Sequence, residues 1–148
     1  MNLTDLASKG WIRAHRTSQE EIRDKFALID RNIKNAHVPG IDPDLIMNVT
    51  HNAHLQRAIA ALYGSGYEPS KEHQHYRALQ SLAATLKLSP NEVAVLDTFR
   101  RMRNNADYDR AGEVSERDAA DSLAWAIELR GKLFAYLQAN VPELVVGI

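Results

Sequence analysis

Apolar residues recur at spacings of three and four along five stretches of the chain, and this helical periodicity limits the folds that it can adopt. Four of the stretches begin just after a residue that commonly caps helices, namely Ser18, Asp42, Ser89 or Ser115. Few segments alternate apolar and polar residues as a half-buried strand would. The sequence therefore predicts an all-α protein.

The predicted helices end at glycine, proline or polar stretches. After a weak helical turn near residues 3–6, they cover residues 18–35, 43–63, 70–86, 90–107 and 115–137. Short connections of this kind favour antiparallel neighbours. We expect an up-and-down bundle of four main helices with one short or additional helix.

The length of 148 residues fits one domain, which we place at residues 1–148 with an N-terminal extension over 1–17 and a C-terminal tail over 138–148. The chain has no cysteine, which excludes disulfides and thiolate chemistry and agrees with a cytoplasmic location. No window approaches the roughly 20 apolar residues of a transmembrane helix, so we expect no membrane association.

The formal net charge of -1 excludes a protein that is held to nucleic acid by overall charge, so binding would need a local basic patch. The densest charge cluster is residues 99–110, Phe-Arg-Arg-Met-Arg-Asn-Asn-Ala-Asp-Tyr-Asp-Arg. Arg100, Arg103 and Asp107 share one helical face, where Asp107 can pair with Arg103 and arginine can bind phosphate. The same residues also fit a solvated helix end, because the helix dipole favours cations there.

Residues 103–109, Arg-Asn-Asn-Ala-Asp-Tyr-Asp, resemble the Arg-x-x-Ala-Asp-Tyr motif of a branch of prokaryotic HEPN proteins. Upstream, residues 62–70 and 75–79 resemble the family's Gly-Tyr-x-Pro loop and the histidine that opens its next helix. With residues 112–115 and the alanine-rich last helix, the resemblance covers roughly residues 45–137 in the family's order.

The resemblance implies a homodimeric helical bundle in a toxin–antitoxin or defence module, with the polar motif of each subunit near the interface. Its implied partners are RNA or a nucleotide and a cognate nucleotidyltransferase or another protein of the module. No cofactor is implied. The expected function is binding of nucleic acid, nucleotide or a partner protein, with little or no catalysis.

Many HEPN members cleave RNA without a metal, using an arginine followed a few residues later by a histidine. No histidine follows Arg103 in this chain, and Asp107 lies nearest the expected position. An aspartate is anionic at neutral pH and is a poor proton carrier. His75 matches the family's helix-opening position and is expected to lie against the end of the fourth main helix. The alternative function is therefore an endoribonuclease using Arg103 with Asp107 or His75, and a second alternative is a structural protein-interaction module.

For binding, the candidate residues carry cationic, amide and aromatic groups. The predicted phosphate or nucleic-acid contacts are Arg100, Arg103, Asn104, Tyr108 and Arg110. Tyr108 also fits simple packing against the last helix.

His51 and His54 lie three residues apart on the second main helix, as a pair of metal ligands would. A helical zinc site usually adds a third protein ligand, and the neighbouring asparagines and glutamine do not suit zinc. We therefore expect no metal site and place both histidines at the surface or at an interface. His73 and His75 are two residues apart and would lie on different sides of a helix.

Overall fold

The computed structural model describes the backbone of residues 1–108 and 113–148 and the side chains of residues 1–105 and 113–148. These ranges contain six α-helices, which confirms the predicted all-α bundle: α1 (Leu3–Ser8), α2 (Gln19–Ala36), α3 (Pro43–Gly64), α4 (Gln74–Thr85), α5 (Pro90–Tyr108) and α6 (Glu116–Asn140). Two short strands, β1 (Ile12–Ala14) and β2 (Tyr67–Pro69), and a 3-10 helix over Pro142–Leu144 complete the described elements.

The predicted capping residues set the starts of the long helices. At the start of α5, the Glu92 N–H donates to the Ser89 hydroxyl at 3.1 Å, and the Ser89 N–H donates to the Glu92 carboxylate at 2.9 Å. Ser18 and Ser115 each accept a hydrogen bond from the first turn of their helix. Asp42 precedes α3 without a side-chain cap, and Pro43 fills the first turn.

The predicted start of the third main helix near Ser70 is wrong, since α4 begins at Gln74. Residues 67–69 form β2 instead, which pairs antiparallel with β1 so that Ile12 lies opposite Pro69. Ser70 continues this ribbon, because its N–H donates to the carbonyl of Trp11 at 2.9 Å and its hydroxyl donates to the carbonyl of Gly10 at 2.6 Å. A strand of three residues is too short to show an alternating pattern in sequence.

The segment predicted as an N-terminal extension folds onto the bundle. Leu6 of α1 and Ile12 of β1 are buried in a small apolar cluster with Leu62 of α3. Trp11, which directly precedes β1 in sequence, is partly buried against the same cluster. Helix α1 also packs beside α4.

Helix α3 is the central element, because it packs against α2, α4, α5 and α6. Its buried apolar positions are Met47, Ala53, Leu55, Ala58, Ile59, Ala60, Ala61 and Leu62. The four alanines allow neighbouring helices to approach closely. Close approach is most evident at Gly64, where an added Cβ would lie 2.2 Å from the Leu137 Cδ2 of α6.

Among the described residues, no helix has the length and apolar character needed to cross a bilayer. Helix α4 packs on both α3 and α5. The first turn of α4 therefore meets side chains from the middle of α3 and from the second half of α5, and this meeting point holds the candidate site.

Candidate functional site

Two arginines of α5 lie partly buried at the surface shared with α4. The Nε of Arg100 donates to the Asp97 Oδ1 at 2.7 Å, and its guanidinium lies over the ring of Tyr76 at 5.4 Å from the ring centroid. Arg103, one turn later, is also partly buried, and its Nη1 donates to the Asn104 Oδ1 at 3.2 Å. The side chain of Arg101 is 65% exposed, and its Nε lies 3.3 Å from the Asp97 Oδ2. Arg100 and Arg103 are thus positioned towards α4, while Arg101 points to solvent.

His75 of α4 contacts His51 of α3 beside these arginines. The Nε2 of His51 lies 3.3 Å from the Nδ1 of His75, with the ring centroids 5.4 Å apart. His51 is 1% exposed, whereas His75 is partly exposed. One ring must donate and the other accept in this contact. Only one of the two contacting nitrogens, the His51 Nε2 or the His75 Nδ1, therefore carries a proton. The contact holds His75 against the bundle and leaves part of its ring open to solvent.

Burial and the arginine charges keep both rings neutral. Burial, chiefly, and the neighbouring His75, Arg103 and Arg100 together lower the pKa of His51 to about 3, against the opposing charge of Asp97. Burial also lowers the pKa of His75, and the charges of Arg103 and Arg100 act in the same direction. At neutral pH His75 is therefore an uncharged ring with access to solvent beside two guanidinium groups.

A second polar layer lies behind His51, in the core. The Nε2 of His54 lies 3.1 Å from the Ser122 Oγ of α6, and the Ser122 Oγ lies 2.7 Å from the Oγ1 of Thr50. The His54 ring also stacks on Phe99 of α5 at a centroid distance of 5.9 Å. These bonds tie α3 to α5 and α6 directly beneath the site.

The expectation that His51 and His54 lie at the surface or at an interface is wrong, because their side chains are 1% and 0% exposed in the single chain. Spacing alone puts the two rings on one face of α3, but that face is covered by α4, α5 and α6. Burial lowers the pKa of His54 well below its ordinary value, so this ring is also neutral. Within the described ranges, no group of three or more metal-ligating side chains occurs.

Arg57 extends the buried polar layer along α3. Its side chain is 0% exposed, and its Nη2 lies 3.0 Å from the Nδ1 of His54. Its Nε and Nη1 have no hydrogen-bond partner among the residues that the structure describes. Burial lowers the pKa of Arg57 to about 9. A guanidinium in this position repels a proton on His54 and reinforces the neutral state of the histidine.

The structure brings together three of the predicted site residues, Arg100, Arg103 and His75, and places Asn104 next to Arg103. The backbone of Asp107 and Tyr108 belongs to the last turn of α5, but their side chains lie outside the described residues. Arg110 also lies outside them. The predicted pairing of Arg103 with Asp107 therefore stays a prediction.

Sequence reasoning missed two contributors, His51 as the partner of His75 and Tyr76 as the aromatic surface beneath Arg100. His51 is 24 positions away from His75, so no local spacing indicates the contact. The only available signal was the position of Tyr76 directly after His75.

No protein-family model matches this sequence, and neither a curated protein nor a solved structure matches it.

Proposed function

We propose that this chain is a HEPN-like protein that binds RNA through a phosphate cluster formed by His75, Arg100 and Arg103. The observation that carries the proposal is the convergence of a partly exposed, neutral histidine from α4 with two arginines from α5. Guanidinium groups bind phosphate oxygens through charge-assisted hydrogen bonds, and a neutral imidazole N–H adds a further donor. The net charge of -1 makes such a local cluster necessary for binding a polyanion.

Asp97 and Asn104 support the cluster in different ways. The Asp97 carboxylate holds Arg100 and offsets part of its charge. The side-chain oxygen of Asn104 accepts a hydrogen bond from the Nη1 of Arg103 and so helps to orient its guanidinium. Both contacts therefore orient a guanidinium of the cluster.

The biological setting in this proposal comes from the resemblance to HEPN proteins. It comprises a homodimer, a toxin–antitoxin or defence module in the cytoplasm, and a cognate nucleotidyltransferase or other module protein as a partner. The principal activity is binding, since no histidine follows Arg103 in the chain.

The experiment is a titration of a fluorescein-labelled single-stranded RNA with wild type and with the double variant Arg100→Gln/Arg103→Gln, read by anisotropy. The control is Arg23→Gln/Arg117→Gln, which removes the same charge from exposed positions of α2 and α6. We expect wild type and the control to bind alike and the cluster variant to bind at least about ten-fold more weakly. Equal affinities for the control and the cluster variant would refute the proposal.

A second candidate function is metal-independent RNA cleavage, favoured by the position of neutral His75 beside Arg103 and Arg100. The 2'-oxygen would attack the adjacent phosphorus and displace the 5'-oxygen, giving a 2',3'-cyclic phosphate and a 5'-hydroxyl end. His75 would accept the proton of the 2'-hydroxyl, the arginines would stabilise charge on the phosphorane, and water would protonate the leaving oxygen. Asp107 is the alternative proton acceptor, with its side chain outside the described residues.

Cleavage is tested by incubating a mixed RNA pool with wild type, His75→Gln and Arg103→Gln in EDTA. Cleavage by wild type that is lost in both variants would establish this function. Cleavage that persists in His75→Gln would exclude His75 as the proton acceptor. RNA retained without cleavage would leave binding as the function of the phosphate cluster.

A further inference from the structure

A groove of about 410 Å³ opens beside the phosphate cluster, between the N-terminal segment, α4 and α5. Its walls include Leu6, Trp11, Tyr76, Ala83, Val93 and Asp97. Ala83 and Ala94 are exposed on facing helices and leave the space between them open. The groove is therefore mostly apolar, with aromatic rings at one side.

The two aromatic rings of the groove touch each other and carry cations at their faces. Trp11 and Tyr76 meet edge to face with ring centroids 6.1 Å apart. Arg77 lies 5.1 Å and Lys9 lies 5.8 Å from the centre of the Trp11 ring, and Arg100 lies over Tyr76. Tyr76 nevertheless remains 39% exposed. Aromatic rings interleaved with cations are the combination with which proteins bind single-stranded nucleic acid.

We propose that this groove is a base-binding site, which takes the base of the nucleotide whose phosphate is bound by His75, Arg100 and Arg103. The inference rests on the proposed RNA binding and names its substrate class, single-stranded RNA with a base free to leave the stack. A double-stranded RNA would keep its bases stacked and unable to enter the groove.

The groove and the phosphate cluster are continuous, because two residues that line the groove also contact Arg100 of the cluster. Tyr76 follows His75 along the first turn of α4, and its ring lies under Arg100. Asp97 lines the groove and also holds Arg100 through the 2.7 Å contact. A nucleotide with its phosphate at Arg100 therefore has its base directed towards Tyr76.

Charge complementarity distinguishes this occupant from an apolar peptide or a lipid. The cations Lys9, Arg77 and Arg100 lie at the aromatic rings that line the groove, and Arg101 itself lines it. The remaining walls are mostly apolar, with Gln80 and Asp97 as the polar exceptions. An anionic backbone at the rim with a flat aromatic group inside satisfies both regions. Stacking on Tyr76 and Trp11 gives purines the greater contact area, so purine sequences bind more tightly than uridine sequences.

The test compares two ligands that present the same phosphodiester spacing, a fluorescent hexamer of adenylate RNA and a hexamer of abasic tetrahydrofuran units. The groove is filled with Ala83→Phe, a change at an exposed helical position. The control is Ala139→Phe, at an exposed position near the end of α6. Circular dichroism and thermal unfolding verify that both variants keep the wild-type fold.

We expect Ala83→Phe to weaken binding of the adenylate hexamer about ten-fold while leaving binding of the abasic hexamer unchanged. Ala139→Phe should bind both like wild type, and a uridylate hexamer should bind wild type more weakly than the adenylate. An unchanged adenylate affinity in Ala83→Phe, or an equal loss for both ligands, would overturn the base-binding site. If the base-binding site is overturned but Arg100→Gln/Arg103→Gln still weakens the binding of both ligands, the proposed phosphate binding remains supported without the base-binding site. If wild type binds neither ligand, the proposed function and this inference fail together.

Discussion

The Nε2 of His51 lies 3.3 Å from the Nδ1 of His75, and this contact joins the centre of α3 to the first turn of α4. It puts a buried ring with a pKa of about 3 behind a partly exposed ring that faces two arginines. Both rings are neutral in the folded protein at neutral pH, but both would take up protons near pH 6.5 in the unfolded chain. The stability of the fold and the binding of phosphate are therefore both expected to depend on pH.

Replacing His51 with glutamine should make the protein less sensitive to acid. The unfolded chain binds a proton at His51 below about pH 6.5, and the folded protein does so only near pH 3, so wild type loses stability as pH falls through this window. Each such histidine contributes a slope of up to about 1.4 kcal/mol per pH unit. Thermal unfolding of wild type and His51→Gln between pH 4 and about 8 measures the difference, and parallel curves would contradict it.

Replacing Arg103 with glutamine should reduce the salt dependence of RNA binding. An arginine that neutralises one phosphate adds about one to the slope of log affinity against log salt concentration. Anisotropy titrations over a range of salt concentrations give the slope for wild type, Arg103→Gln and the exposed control Arg23→Gln. The slope should fall for Arg103→Gln and stay unchanged for Arg23→Gln. A slope that falls for Arg23→Gln and not for Arg103→Gln would show that Arg103 does not contact a phosphate.

RNA should bind more tightly at mildly acidic pH, through His75. The free protein has a lowered His75 pKa, and a bound phosphate would raise it, so binding takes up a proton between the two pKa values. Affinity should rise as pH falls from about 7.5 to 5.5, by at most ten-fold per pH unit for one proton. His75→Gln should bind with little pH dependence over this range. An identical pH profile for the variant would show that another group takes up the proton.

Removing the hydroxyl of Ser122 should destabilise the core. Ser122→Ala leaves the Nε2 of His54 buried without its partner at 3.1 Å, although Thr50 retains its bond to the Ile46 carbonyl at 2.8 Å. The expected loss is about 1–3 kcal/mol in the free energy of unfolding by urea. Thr98→Ala, at an exposed position of α5, is the matched control and should change it by under about 0.5 kcal/mol. A similar loss of unfolding free energy in the two variants would show that the buried hydrogen bond of Ser122 does not stabilise the fold.

Two glycine-to-alanine changes should act in opposite directions. At Gly64 the new Cβ would meet the buried Leu137 Cδ2 at 2.2 Å, so we expect a loss of about 1–3 kcal/mol. At Gly131, an exposed position inside α6, nothing lies within 4 Å, and alanine should stabilise the helix by about 0.5–1 kcal/mol. Urea unfolding measures both. A stabilised Gly64→Ala would mean that α3 and α6 separate there at little cost.

The sequence by itself determined the helices, because their signals are local. Periodic apolar residues define the buried face, and Ser18, Ser89 and Ser115 satisfy the amides of the first turn within a few residues. The grouping of Arg100 and Arg103 on one face of α5 was predictable for the same reason. Helix spacing also placed His51 and His54 on a common face of α3.

Only the tertiary structure decided what covers each face. His51 and His54 have the same local pattern as exposed histidines, but α3 is enclosed by four helices, so both rings are buried and neutral. His75 meets His51 and the α5 arginines because α4 packs in the angle between α3 and α5. The strand β2 exists because β1 supplies its hydrogen-bond partners from 55 residues away, at Arg13 and Glu68. Contacts between residues so distant in sequence depend on how whole helices pack. The free energy of that packing comes from apolar contacts throughout the core, so no single sequence motif predicts it.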